Sequence, residues 1–213
     1  MNKSTVTSLA AFLLCIPLIA CDPSPNPAPE PSPQDLFFER LSLLCGKAYA
    51  GILVSDQQAD AEMVGKPMIM HVASCDQNKI EIPFHIAEDR GQWNRSRTWL
   101  ISRTDRGLRL KHRHRHEDGS MDAVTNYGGD TENQGTAERQ EFPVDAESVA
   151  SFRANGLDQS VTNRWAVEIT PPGQSEARFA YELRRPKSAD ERHFRVEFDL
   201  SKSVALPPPP WGD

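Results

Sequence analysis

Arg178-Phe-Ala-Tyr-Glu-Leu-Arg184 and His193-Phe-Arg-Val-Glu-Phe-Asp-Leu200 alternate apolar and polar residues without a break. Successive side chains of an extended strand point to opposite faces, so Phe179, Tyr181 and Leu183 share one face, as do Phe194, Val196, Phe198 and Leu200. Arg178, Glu182 and Arg184, and His193, Arg195, Glu197 and Asp199, take the other face. Ile80, Ile82, Phe84 and Ile86 oppose Glu81, Pro83, His85 and Ala87 in the same way, and Trp165, Val167 and Ile169 oppose Arg164, Ala166 and Glu168. One apolar face and one charged face is the pattern of an antiparallel sheet with one solvated side. Parallel strands covered on both sides would be apolar throughout.

Outward from these runs, the two-residue period predicts strands over 47–54, 68–75, 79–87, 97–104, 108–116, 123–127, 138–142, 164–169, 178–184 and 193–200. Turn residues separate most of them, among them Asp76-Gln-Asn78, Asp105-Arg-Gly107, Glu117-Asp-Gly119 and Pro171-Pro-Gly173. Two segments have helical spacing instead. One is 33–46, with Leu36, Phe37, Leu41 and Leu44 on one stripe, an acidic first turn and Gly46 at the expected C-cap; the other is 145–155, followed by Gly156. The expectation is one mainly β domain over 34–204, with a short N-terminal helix and one inserted helix. Its length, about 170 residues, suits a single core.

The ends read differently. Lys3, an apolar run from Leu9 to Ala20 and then Leu18-Ile19-Ala20-Cys21 are the order of a secretory signal ending in a lipobox, which assigns 1–20 to the signal peptide and lipidation to Cys21. The apolar run is too short for the ~20 residues of a membrane span, so attachment is expected through acyl chains. Two or more chains are needed for stable anchoring. By resemblance to enterobacterial lipoproteins, Asp22 after the cysteine implies retention at the inner membrane, facing the periplasm. Residues 22–33 alternate proline with small polar residues and read as an extended stalk of about 3.1 Å per residue. Residues 205–213 form a second proline-rich segment unsuited to a sheet, with Trp211 docking on the domain.

Net charge is −6, and loss of Lys3 with the signal makes the mature chain more acidic, which argues against a nucleic-acid partner. Of the four cysteines, Cys15 is removed and Cys21 lipidated, so Cys45 and Cys75 are expected to pair in an oxidising compartment.

The helix, the Gly46-Lys-Ala-Tyr-Ala-Gly51 entry into the first strand and the hairpin-connected strands resemble the calycin group of lipocalin-like barrels. That resemblance implies an up-and-down antiparallel β-barrel holding a small apolar or amphipathic ligand. A β-sandwich accommodates the same alternation. The blocks Ile82-Pro-Phe-His85, Ser96-Arg-Thr-Trp99 and His114-Arg-His-Glu-Asp-Gly119 are similar to an uncharacterised family of bacterial secreted proteins, a likeness that implies no activity.

Candidate sites follow from the strand faces. His112, His114 and His116 share a face with Leu108 and Leu110, about 6.5 to 7 Å apart. With a further ligand from His71, His85 or a carboxylate, they make one candidate site for zinc or another divalent metal. The other reading is a strand that is core at Leu108 and Leu110 and a wet rim at the histidines; with an ordinary pKa of ~6.5 these rings hydrogen-bond without a metal. Arg109, Lys111, Arg113 and Arg115 lie on the opposite face and, with Arg95, Arg97, Arg103 and Arg106, read as a polyanion strip or as outer charge paired with Glu81, Glu168, Glu182 and Glu197. The inward aromatics Tyr49, Trp99, Trp165 and Tyr181 are candidates for a ligand pocket or for filled core. No nucleophile elbow or phosphate loop is present, and no carboxylate pair is selected by spacing, so the sequence leaves enzymatic activity undecided and calls for no cofactor. A binding module is the leading expectation, and a metal-binding protein or metal-dependent enzyme the alternative.

Overall fold

The computed structural model describes Met1 and residues 30–213 apart from 172, 175 and 186–190. The expected signal peptide, Cys21 and most of the stalk lie outside the described residues. Among those described, no helix is long and apolar enough to cross a membrane.

The chain enters through α1 (Pro33–Ser42), whose N-terminus is fixed by a capping box between Ser32 and Asp35, with Pro33 at the first helical position. Phe37, Phe38 and Leu41 are its buried stripe. The helix ends four residues earlier than its apolar spacing suggests. Beyond it, Leu44 packs in the core, Cys45 bonds to Cys75, and the Gly46 N–H, at φ +77°, donates to the Val72 carbonyl. These tertiary contacts turn the chain into the sheet before another helical turn forms.

Eleven strands follow: β1 (Ala48–Leu53), β2 (Met68–His71), β3 (Ser74–Cys75), β4 (Lys79–Ala87), β5 (Trp93–Thr104), β6 (Gly107–His114), β7 (Tyr127–Asp130), β8 (Arg139–Pro143), β9 (Arg164–Ile169), β10 (Arg178–Arg185) and β11 (Arg192–Val204). A second helix, α2 (Ala146–Ala154), lies between β8 and β9 and is capped by Asp145, whose side chain accepts from the Ser148 N–H. Ten strands form one antiparallel sheet in the order β7-β6-β5-β4-β2-β1-β11-β10-β9-β8, with the short β3 paired to β4. Apart from β3 and the β7–β8 step, strands successive in sequence are hydrogen-bonded neighbours, and β1 pairs with β11, so the sheet curls into a nearly closed up-and-down barrel. The seam lies between β7 and β8, where the Asp145 N–H donates to the Gly128 carbonyl. A single curled meander with one core, rather than two facing sheets, is therefore the architecture.

Three strands depart from the sequence expectation, the first of them at the seam. The strand expected at 123–127 forms instead over Tyr127–Asp130, because Gly128 and Gly129 are strand residues rather than turn residues. A Cβ at Gly128 would lie 1.9 Å from the Leu110 carbonyl oxygen, and one at Gly129 would lie 1.7 Å from that of Pro143. Only glycine lets the three backbones approach this closely. The strand expected over 68–75 breaks into β2 and β3, and β6 ends at His114, with His116 in the following turn.

The inner faces carry the expected residues. Ile80, Ile82, Trp99, Leu108, Leu110, Trp165, Val167, Phe179, Val196 and Phe198 all belong to one buried cluster, joined by Phe37 and Leu41 of α1. The outer face is a mixed-charge surface. Glu182 is nearly inaccessible there and is held by Arg139, Arg184 and Arg195; burial raises its carboxyl pKa, but hydrogen bonds from Arg184 and Arg139 override that and take it down to about 2. Arg109 pairs with Asp130, Lys111 with Asp145 and Glu147, and Arg113 with Glu81 and Asp213. These basic residues therefore belong to a neutralised outer surface.

The C-terminal segment docks on the barrel as expected of a proline-rich tail. The Trp211 N–H donates to the Arg95 carbonyl, Arg95 Nη1 donates to the Pro209 carbonyl, and Asp213 meets Arg113. His85, outward by strand parity, is fully buried beneath the tail with Nε2 2.9 Å from the Pro208 carbonyl oxygen.

Candidate functional site

The lumen is filled at the α1 end and open at the other, and β6 runs from one to the other. Leu108 and Leu110 are buried in the core. His112 and His114, next on the same face, enter a cavity of about 170 Å³, with Trp99 opposite His112 and Arg97 opposite His114 on β5. Phe84 on β4, Tyr127 on β7, Tyr181 on β10 and Phe194 on β11 complete most of the wall, and Met63 from the short 3-10 turn Gln58–Met63 overhangs it.

The apolar wall is a stack of rings. Phe84 lies 4.8 Å from Trp99 and Trp99 lies 4.5 Å from Tyr181, centroid to centroid and nearly parallel. The polar wall is a chain of neutral hydrogen bonds. His112, only 3% exposed, places Nδ1 3.0 Å from the Tyr127 carbonyl oxygen and Nε2 2.7 Å from the Tyr181 hydroxyl. A carbonyl only accepts, so Nδ1 carries the proton and Nε2 accepts from the Tyr181 O–H. His114 Nε2 lies 3.0 Å from the Tyr127 hydroxyl.

Burial sets the charge states. It is the largest cause of the drop in His112 to about 3 and in His114 to about 4, each also lowered by a neighbouring positive charge, His114 for the first and Arg97 for the second. Burial likewise pushes the Tyr127 phenol up to about 12 and the Tyr181 phenol well above its usual range. Near neutral pH all four rings are uncharged hydrogen-bonding groups. Arg97 shares the cavity wall with them, its charge acting on His114, Tyr127 and Tyr181, and burial lowers its pKa too.

Two further cavities adjoin this one. The first, about 210 Å³, shares Met63, Ile86 and Arg97 with it and is otherwise lined by Glu62, Lys66, Glu88, Asn94 and Ala59. The second, about 190 Å³, shares Tyr127, Tyr181 and Leu183, and adds Trp165 and Phe152.

Of the expected pocket residues, Trp99 and Tyr181 line the main cavity, and Trp165 lines its neighbour and packs 5.0 Å from His112. Tyr49 lines none of the three and is a core residue at 3% exposure, because β1 lies against β11 where the lumen is filled. Of the three histidines, His112 and His114 are brought together and His116 is not, since β6 ends before it. Both nitrogens of His112 are engaged, and His71 and His85 stand outside this cavity. Among the described residues no three His, Cys, Asp or Glu side chains converge as a metal set, so the expected triad is not assembled as one site. Arg97 was grouped with the outer cations although it shares strand parity with Trp99 and Ile101, which are buried; that parity is the signal that places it inside. Tyr127 carried no such signal, because its strand was displaced by the glycine pair. A scan against family models and a search of curated proteins each returned no match to this chain.

Proposed function

We propose that this chain is a cell-envelope lipoprotein, anchored through acylated Cys21 and held off the membrane by its stalk, whose barrel binds a small apolar or amphipathic molecule. The observation that carries the binding reading is the cavity behind Trp99 and Tyr181. A concave aromatic wall with a few convergent polar groups at one end is the usual composition of a small-molecule site. The filled end of the barrel supplies rigidity, and the neutral His112–Tyr181 and His114–Tyr127 pairs supply orientation. An extended stalk and a lipid anchor suit a protein that meets its ligand near a membrane surface.

Titration of the purified domain with 1-octanol and N-phenyl-1-naphthylamine, followed by tryptophan fluorescence and calorimetry, tests the reading. Saturable binding that is weakened by Trp99→Ala supports it. A folded domain that binds neither probe rejects it. Separately, Cys21→Ala is expected to move the protein from the membrane to the soluble fraction, and continued membrane retention rejects the anchor.

A further inference from the structure

Arg97 is a lumen-facing cation that, among the described residues, has no carboxylate within ion-pairing distance. Arg192, the other arginine in the cavity wall, pairs with buried Asp60 and also donates to Gln57. On the outer face, Arg109, Arg113, Arg139 and Arg195 each have carboxylate partners. Arg97 donates through Nη1 to Asn94 Oδ1 and Ser96 Oγ, each at 3.1 Å, and both acceptors are neutral. Among the described residues no carboxylate lies within ion-pairing distance of it; Glu88 is near enough only to exert a through-space attraction, and Asn94 is hydrogen-bonded to it. Partly burying a guanidinium without a paired anion carries a desolvation cost. The fold nevertheless orients this one with two side-chain acceptors on a single nitrogen, leaving the rest of the planar fork for another partner.

Its position is equally specific. Arg97 lines both the inner aromatic cavity and the outer polar one, with Met63 and Ile86 beside it. An anion at this boundary would have Phe84, Trp99 and Tyr181 on its inner side. We infer that the cavity takes a small monocarboxylate, its carboxylate paired with Arg97 and its apolar body lying inward against the aromatic stack. The inference rests on the binding reading above and adds the charge and polarity of the ligand. A planar fork matches a carboxylate with two parallel hydrogen bonds. The outer cavity is lined by Glu62 and Glu88 as well as by Lys66, so two carboxylates face an anion there and a dianion is disfavoured.

Four probes with one eight-carbon body decide the matter at neutral pH by calorimetry and Trp fluorescence: octanoate, 1-octanol, octylamine and octyl phosphate. Octanoate should bind about tenfold or more tightly than 1-octanol, as expected for a desolvated charge-assisted pair, with octylamine the weakest. Arg97→Gln should remove the advantage of octanoate while leaving the affinity for 1-octanol within about twofold. Arg97→Lys, which retains the charge without the fork, should keep part of it; thermal unfolding verifies that both variants are folded, and if Arg97→Gln does not fold, loss of part of the preference in Arg97→Lys carries the test. Equal binding of octanoate and 1-octanol overturns the anion assignment and leaves the binding reading standing. Tighter binding of octyl phosphate than of octanoate overturns the monocarboxylate assignment. Preference for octanoate that survives Arg97→Gln overturns the role of Arg97, and no binding of any probe overturns both readings.

Discussion

The two ends of the barrel lumen are built from the same strands and do opposite things. At the α1 end, Phe37, Leu41, Ile80, Ile101, Leu108 and Leu110 are essentially inaccessible, and the helix and the Cys45–Cys75 disulfide cover the strand ends. At the other end the same strands present Arg97, His112, His114 and Tyr181 around an open volume. His112 lies two positions along β6 from Leu110, and within that step the face passes from dispersion contacts to a hydrogen-bonded wall. Stability is concentrated where the lumen is filled; the open end holds groups whose protonation and pairing are set by burial. Binding sites are commonly organised in this way, with the rigid part of the fold holding costly polar groups in place.

Breaking the filled end should have the largest effect. Phe37→Ala removes a ring with no accessible surface from the plug between α1 and the sheet, and should cost about 3 to 5 kcal/mol, measured as a lowered urea midpoint at unchanged slope. A loss below about 1 kcal/mol would mean that α1 is not the cover of that end. Reduction of Cys45–Cys75, whose partners are 30 residues apart, should cost roughly 3 to 4 kcal/mol on the chain-entropy model, read as the shift in unfolding midpoint with and without reductant.

At the open end the effects should be smaller and of a different kind. Tyr181→Phe deletes the hydroxyl that donates to His112 Nε2 and strands a buried acceptor, at a cost of about 1 to 3 kcal/mol. The histidines predict a pH dependence whose sign is set by their lowered values. In the folded state both remain neutral below their ordinary pKa of 6.5, whereas the unfolded chain takes up the protons there. Stability should therefore be complete above about pH 6.5 and fall as the pH drops, until His114 protonates near 4 and His112 near 3 in the folded protein. The slope is about 1.4 kcal/mol per pH unit for each histidine. Burial lowers His71 and His85 as well, so they add to the slope. Denaturant melts at pH 7, 6 and 5 measure it, and His114→Gln should reduce it by about 1.4 kcal/mol per pH unit, the share of one histidine, whereas an unchanged slope would show that the ring is not desolvated. Glu182 contributes separately and lower on the scale, its stabilisation being lost between its ordinary value of 4.5 and about 2. The smallest folding effect is expected at Arg97. Arg97→Met should leave stability unchanged or slightly higher, because it removes a partly buried cation that, among the described residues, has no carboxylate within ion-pairing distance, and a large loss in thermal unfolding would indicate an anionic partner that the barrel itself supplies.

Legibility of the molecule followed the range of the forces involved. Strand faces at Phe179, Tyr181, Phe194 and Val196 were readable because period-two alternation is local. The helix start at Pro33 and the turn chemistry were readable for the same reason. Tyr127 and the seam were not, since a Gly-Gly pair resembles a turn unless the carbonyls of Leu110 and Pro143 are known to press on it. His85 was assigned outward correctly by parity, yet is buried, because the covering tail arrives from more than a hundred residues away. Tyr49 was inward as expected but lies where the lumen is full.

By itself the sequence determined a mainly antiparallel β domain, its inner and outer faces, its two helices and the expected pairing of Cys45 with Cys75. Alternation, capping and charge pairing act between near neighbours or between predictable faces. Only the tertiary structure decided that the sheet curls into a nearly closed barrel, that its lumen is plugged at one end and open at the other, and that Arg97 shares the open end with His112, His114, Tyr127 and Tyr181. Those outcomes depend on which strands meet around the barrel and on the volume left between their side chains, and neither quantity is carried by any single stretch of chain.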